Sequence, residues 1–434
     1  MKNLEMKKSR MKNHKIQSTL SSITPQYSKT LLLLRMSLRH NRGKPPNIYN
    51  PDEEERKSKY PIANYVSTQG LSKPLKTFTQ TLSSYHIPSS VEEALSDPEW
   101  AQAMVCLEDE RMLLLQLKSI LKFNAAASNK LVSWSQSADC CSWGGVTWDV
   151  TGHVVSLDLS SEFISGGFNS SSSIFSLQYL QGLNFANNTF NYSQIPSGFG
   201  KLGHLIYLNL SSAGFSGQIP IEISRLAKLF TIDFSFYFPG VPTLKLEKPN
   251  LRMLVQNLTE LRELYLNGVN VLAQGKEWCQ ALSSSVPNLQ VLTLPSCYLS
   301  GPLDSSLQKL RSLSSILLDN NNFSALVPEF LANFFSLTQL QLSSCGLYGT
   351  FPEKIFQIPT LQVLDLSNKK LLQGSVPEFP QNGSLGTLVL SDTKFSGKVP
   401  NSIGNLKRLT RIDLAGCDFS GAIPNSMAGL TQLV

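Results

Sequence analysis

The sequence predicts an α/β repeat fold: a curved solenoid whose concave face is a parallel β-sheet, closed by an N-terminal cap and preceded by a largely disordered leader. Three observations predict it. First, a short apolar alternation ends in a small or polar residue at Cys297, Asn321, Cys345, Lys369, Thr393 and Cys417, with a constant step of 24 residues. Second, the copies share one order: Leu310, Leu313, Ile316 and Leu318 precede Asn321, Phe323, Val327 and Pro328, as Leu406, Leu409, Ile412 and Leu414 precede Cys417, Phe419, Ile423 and Pro424. Third, all seven cysteines and all seven Asn-x-Ser/Thr sequons lie beyond residue 105. A fixed period of this length marks a stack of supersecondary units, none of which buries its apolar face alone.

Each element follows from the spacing. The Leu-x-Leu core alternates with period two, so Leu208 and Leu210, or Leu364 and Leu366, point inward while their neighbours face solvent. The polar slot falls where the chain leaves the strand, where a side-chain donor can satisfy loop carbonyls. Gly217, Gly349 and Gly397 permit a tight turn, and Pro220, Pro352 and Pro400 end the extended segment. This is the leucine-rich-repeat pattern. The copy from Leu177 carries Asn188 in the slot; the copy from Leu202 carries Ala213, a weaker rung.

In chain order, residues 1–59 form a disordered basic leader, with a solvated charge cluster from Asp52 to Lys59. Leu31 to Leu34 is cut short by Arg35, so no secretory apolar core is evident, and no run is long enough to cross a membrane. Residues 1–105 hold 16 Lys/Arg against 9 Asp/Glu, whereas 106–434 hold 22 of each. The net charge of +7 therefore belongs to the leader, and a nucleic-acid-binding repeat domain is excluded. Residues 106–150 read as the cap, opening on an acidic turn with apolar residues at helical spacing to Lys122. Residues 151–434 are the solenoid of about eleven coils, irregular at 226–288, where two long coils replace regular ones, and ending without a C-terminal cap. An open apolar end makes 106–434 prone to aggregate when produced alone.

The tails Ser216–Pro220, Ser396–Pro400 and Ser420–Pro424, each Ser-Gly-x-(Ile/Val)-Pro, carry a resemblance. Over 106–434 the chain resembles the extracellular domain of plant leucine-rich-repeat receptor-like proteins, of the Verticillium-wilt-resistance type. Tyr60–Ser67, Ile87-Pro88 and Val91–Met104 resemble a Copia-type retrotransposon polyprotein fragment spanning 60–104, which lacks that family's metal-binding carboxylates. Val91–Met104 reads as a short helix with Glu92 and Glu93 in its first turn. The receptor resemblance implies a cap disulfide between Cys106 and Cys140. It also shows Trp148 where the usual partner of Cys141 stands, so a second cap disulfide is not expected. It further implies a protein or peptide ligand, partner receptor kinases, no kinase of its own, and a cell-membrane or extracellular location.

No catalytic, metal or cofactor constellation emerges: the five histidines are scattered, and no nucleophile elbow or phosphate loop is present. Cys279 and Cys297 form a candidate disulfide, while Cys345 and Cys417 read as buried thiols. Candidate glycosylation sites are Asn169, Asn187, Asn191, Asn209, Asn257, Asn322 and Asn382. The exposed strand positions nominate a binding face of Tyr207, Tyr265, Asn267, Thr293, Leu317, Asp319, Gln339, Gln341, Asp365, Val389, Arg411 and Asp413, with Asn209 beside Tyr207. Asp158, Asp233, Asp365 and Asp413 recur between the inward residues and read as solvated. Ligand recognition without enzymatic activity is the leading reading. The alternatives are a secreted inhibitor of pectin-degrading enzymes, an enzyme through the transposon-like segment, and a non-functional truncated chimera.

Overall fold

The structure is a computed structural model that describes residues 106–236 and 244–434. The leader, the polyprotein-like stretch and its helix lie outside the described residues.

Every coil places one Leu or Ile at the centre of a three-residue strand, flanked by two residues on the opposite face. These strands make a sheet of twelve: β1 (Val146–Trp148), β2 (Val154–Asp158), β3 (Gly182–Asn184), β4 (Tyr207–Asn209), β5 (Thr231–Asp233), β6 (Glu263–Tyr265), β7 (Val291–Thr293), β8 (Ser315–Leu317), β9 (Gln339–Gln341), β10 (Val363–Asp365), β11 (Thr387–Val389) and β12 (Arg411–Asp413). Strand β1 runs antiparallel to β2, and β2 to β12 are parallel in sequence order. The register never slips along β2–β12: Leu157, Leu183, Leu208, Ile232, Leu264, Leu292, Ile316, Leu340, Leu364, Leu388 and Ile412 form one row. A one-residue slip would turn that row out to solvent, which fixes the pairing. Leu208, Leu210, Leu364 and Leu366 are buried as the alternation predicts.

Two further layers close each coil. A residue with positive φ follows the strand exit of β2–β4 and β6–β12, at Ser161, Asn187, Ser212, Gly268, Ser296, Asn320, Ser344, Asn368, Asp392 and Gly416. Asn and Asp tolerate that left-handed region better than most residues, which accounts for their presence in this row. The chain then enters a second, smaller parallel sheet in the C-terminal coils, over Gly349–Thr350, Lys369–Gly374, Thr393–Gly397 and Asp418–Phe419. It returns through 3-10 turns such as Ser197–Lys201 and Asn401–Asn405. Phenylalanines fill the space between layers: Phe168 contacts Phe175, Phe185, Phe190 and Phe199, with ring centroids 5.2–5.8 Å apart.

The irregular coils at 226–288 replace 3-10 turns with helices. α2 (Leu251–Val255) follows Asn250, whose side chain accepts from Met253 N, and α3 (Gly275–Ser285) starts at a capping box of Gln274 and Glu277. Gly275 is required there, because a Cβ would stand 1.7 Å from the Pro302 carbonyl of the next coil. The proposed Cys279–Cys297 disulfide is not formed. Cys279 is buried on α3, while Cys297 occupies the slot row and donates from Sγ to Leu266 O at 3.0 Å. Burial pushes the Cys279 thiol up to about 12 and the Cys297 thiol higher still, so both are inert hydrophobic thiols. Sequence spacing placed them one coil apart without revealing that helix and slot are on different sides.

The cap is built on α1 (Glu108–Ile120), whose first turn carries Glu108, Asp109 and Glu110 toward the partial positive end of its dipole. Cys106 and Cys140 are disulfide-bonded. Trp134 stacks on Trp143 at 5.5 Å, and Trp148 Nε1 donates to Cys140 O at 3.0 Å, giving that indole a structural use in place of a second bridge. Two buried carboxylates clasp the cap to the first coil. Glu110 accepts from Val154 N at 2.5 Å and contacts His153 Nδ1 at 2.8 Å. Glu162 takes the Lys130 and Leu131 N–H groups at 3.0 and 3.2 Å, together with the Ser128 hydroxyl.

Candidate functional site

The outward residues of β2–β12 form the candidate site, and their hydrogen bonds sort them into two kinds. The second flanking residue of the strand is Asp158, Asn184, Asn209, Asp233, Asp365 or Asp413 in six coils. In each of them a side-chain oxygen accepts the backbone N–H two residues later, from Ser160, Ala186, Ser211, Ser235, Ser367 or Ala415, at 2.8–3.1 Å. This Asx turn satisfies the amide where the chain leaves the sheet. The solvated reading of the aspartates is thereby corrected: Asp158, Asp233, Asp365 and Asp413 are half-buried turn-formers.

The other coils depart from that rule. Tyr265, Thr293, Leu317 and Gln341, in register on four consecutive strands, stand where Asp or Asn stands elsewhere, as does Val389 on β11. Tyr265, Leu317, Gln339 and Gln341 are half-buried and reach the concave surface, as Tyr207 does; Arg411 is exposed. Thr293 and Val389 are 4% and 2% exposed, so neither offers a contact surface, contrary to expectation. Asn267 is buried beyond the end of β6, and Asp319 lies beyond the end of β8, so neither is a strand-face residue. Both follow an inward leucine, Leu266 or Leu318, and occupy the place of the serines that follow Leu210 and Leu366. The predicted period-two alternation ends one residue earlier than the sequence suggests.

Two groups of charge lie along the sheet, Asp233 with Glu263 on β5 and β6, and Asp319 and Asp365 with the buried Lys369 farther along. Thr231 Oγ1 donates to Glu263 Oε2 at 3.0 Å. Burial, and then the neighbouring Asp233 charge, raise the Glu263 carboxyl above its ordinary range; burial does the same for Asp233. Arg262 lies 4.3 Å over the Phe230 ring at the edge of the sheet.

Behind the strands runs the slot row. Asn321 Nδ2 donates to Leu294 O and Leu318 O at 2.9 and 2.8 Å, and Oδ1 accepts from Cys297 N and Leu299 N at 3.2 and 3.0 Å. Asn188 repeats the pattern, while Cys345 and Cys417 supply a thiol donor to one carbonyl each at 3.0 Å. Lys369 breaks the row. It is 3% exposed, and its ammonium has no hydrogen-bond partner among the described residues. Burial lowers it to about 8, against the opposing pull of Cys345, Asp319 and Asp365. Of the sequons, Asn169, Asn187, Asn191, Asn257, Asn322 and Asn382 are exposed, whereas Asn209 is half-buried with Nδ2 on Tyr207 Oη at 3.0 Å.

The solenoid and its ladder define a leucine-rich-repeat protein with a plant-type N-terminal cap. Residues 107–147 match the leucine rich repeat N-terminal domain, and 384–406 and 408–430 match the leucine rich repeat. The chain is 35% identical over 326 residues to receptor-like protein 6 of Arabidopsis thaliana, covering 71% of this chain and 28% of that protein. It is 31% identical over 323 residues to receptor-like protein Cf-9 of Solanum pimpinellifolium, covering 70% and 31%. The ectodomain of the Arabidopsis receptor kinase HAESA, solved with an IDA peptide hormone ligand, superposes with a TM-score of 0.60 at 26% identity, covering 75% of this chain and 60% of that one. The repeat region belongs to the family of plant leucine-rich-repeat receptor-like proteins. It spans about a third or less of the length of these two relatives.

Proposed function

We propose that the chain is the ligand-recognising part of a plant cell-surface receptor-like protein, without enzymatic activity, which takes a peptide or protein ligand on its concave face and acts with partner receptor kinases. The observation that carries this reading is the rigid, unbroken register of β2–β12, which presents one continuous row of side chains across eleven coils. Peptide recognition by the HAESA ectodomain supports the ligand class. The long coils at 226–288 favour a receptor over a shorter, regular inhibitor of pectin-degrading enzymes. Among the described residues no helix is long and apolar enough to cross a membrane, so anchoring by this segment is not part of the proposal.

Three narrower statements belong to the same reading. The repeats are of the Verticillium-wilt-resistance type, supported by the Ser-Gly-x-(Ile/Val)-Pro tails. Residues 60–104 are a fused Copia-type fragment, supported by Tyr60–Ser67 and Val91–Met104. The six exposed sequons carry glycans in a secreted form, and Asn209 does not. Tandem mass spectrometry of the protein from native tissue, after enzymatic deglycosylation, tests the last two. Deamidated asparagines at the exposed sequons without leader peptides fit a secreted receptor. Leader peptides joined to unmodified asparagines overturn the cell-surface reading.

A further inference from the structure

The Asx turn is abandoned on four consecutive strands, and the backbone there has been provided for in other ways. Two residues after Thr293 stands Pro295, which has no N–H to satisfy. Two residues after Gln341 stands Ser343, whose N–H goes to Asp319 Oδ1 at 2.8 Å, reaching across from the preceding coil. Two residues after Leu317 stands Asp319 itself, whose carboxylate is engaged by that Ser343 N–H of the following coil. One aspartate placed outside the strand thus caps the following coil, and one proline makes another cap unnecessary. These substitutions release positions 293 and 341 from forming the turn while keeping the fold, and Leu317 between them has no side-chain acceptor to form it. The same position is committed to the turn in β2–β5 and in β10 and β12.

We infer that β6–β9 are the ligand footprint, with Tyr265, Leu317 and Gln341 as its contact row, and that its occupant is an extended peptide segment with an uncharged centre and a basic residue at the β5–β6 end. This rests on the peptide-recognition reading above and adds to it a position and a polarity. Tyr265, Leu317, Gln339 and Gln341 are uncharged, and the short Thr293 between Tyr265 and Leu317 is buried. Charge gathers at the β5–β6 end, through Asp233 and Glu263, so a cation there has two carboxylates to face, against the single Asp365 on β10 beside Gln341, which is committed to its own turn. From β5 to β9 is four strand spacings, about 19 Å, which about six extended residues cross. Asp319, nominated by sequence as a contact, is instead the residue that frees the contact row.

The test uses the full chain. A library of random 12-residue peptides displayed on phage is selected against it, and the selected peptide is synthesised and titrated by calorimetry. Leu317→Arg is expected to weaken binding at least tenfold, with Leu317→Thr as a milder second variant and thermal melts reporting that both fold. Glu263→Gln is expected to weaken binding fivefold to tenfold for peptides with a basic residue, and to leave peptides with that residue replaced by norleucine within twofold. Thr387→Arg, on the same face at β11, is expected to stay within twofold. Binding lost in Thr387→Arg but retained in both Leu317 variants would overturn the footprint and leave peptide recognition standing. Equal affinity for the basic and norleucine peptides would overturn the polarity. Failure to select any peptide would count against the recognition reading and the footprint with it.

Discussion

The coils around Asn321 and Lys369 lie 48 residues apart and occupy the same step of the repeat, yet they handle it in opposite ways. Asn321 makes five hydrogen bonds to backbone groups of two coils, whereas the Lys369 ammonium makes none within the described residues. A carboxamide is short and both donates and accepts, so it fits a slot flanked by carbonyls and amides. An ammonium is longer, only donates, and loses its hydration on burial. The comparison shows that the repeat tolerates one ill-suited slot residue when the rows in front of and behind it are intact.

The largest expected effect breaks the better rung. Asn321→Leu leaves three carbonyls and two amides without that side chain and should cost about 4 kcal/mol, read as a drop in denaturant midpoint. Next, Lys369→Asn should stabilise by about 3 kcal/mol at pH 7. The sign follows from the lowered lysine: the unfolded chain holds the proton up to 10.5, the folded chain only to about 8. Below about 8 the penalty is constant, and between 8 and 10.5 the natural chain gains stability with rising pH, so the advantage of Lys369→Asn should shrink across that window. Equal pH profiles for both proteins would show that the ammonium is not desolvated. Glu162→Gln should cost about 1–2 kcal/mol by weakening its bonds to Ser128, Lys130 and Leu131, seen as faster amide exchange in the cap. Asp365→Ala should cost about 1 kcal/mol through the lost bonds from Ser367 N and Oγ.

The solenoid was legible because its signals are local and repeated: the inward row from Leu157 to Ile412 is the Leu-x-Leu pattern itself. The cap pairing of Cys106 with Cys140 came from family resemblance, and the structure contains it. What spacing could not reveal depended on contacts between coils. Whether Asp319 faces a ligand or Ser343 N is decided by the coil that follows it. Thr293 and Val389 hold outward positions in the alternation yet are buried. Cys279 and Cys297 were separated by a helix whose placement is set by the Pro302 carbonyl of a later coil. One signal was available and went unread: the loss of Asp or Asn after Leu264, Leu292, Ile316 and Leu340 on consecutive copies marks the window directly.

The most direct measurement is hydrogen–deuterium exchange of the full chain with and without a selected peptide, resolved to single coils. Slowed exchange concentrated in the backbone of residues 263–267, 291–295, 315–319 and 339–343 is the predicted result. Slowed exchange confined to α2, α3 or the 3-10 turns, with those strand exits unchanged, would contradict recognition on the concave face.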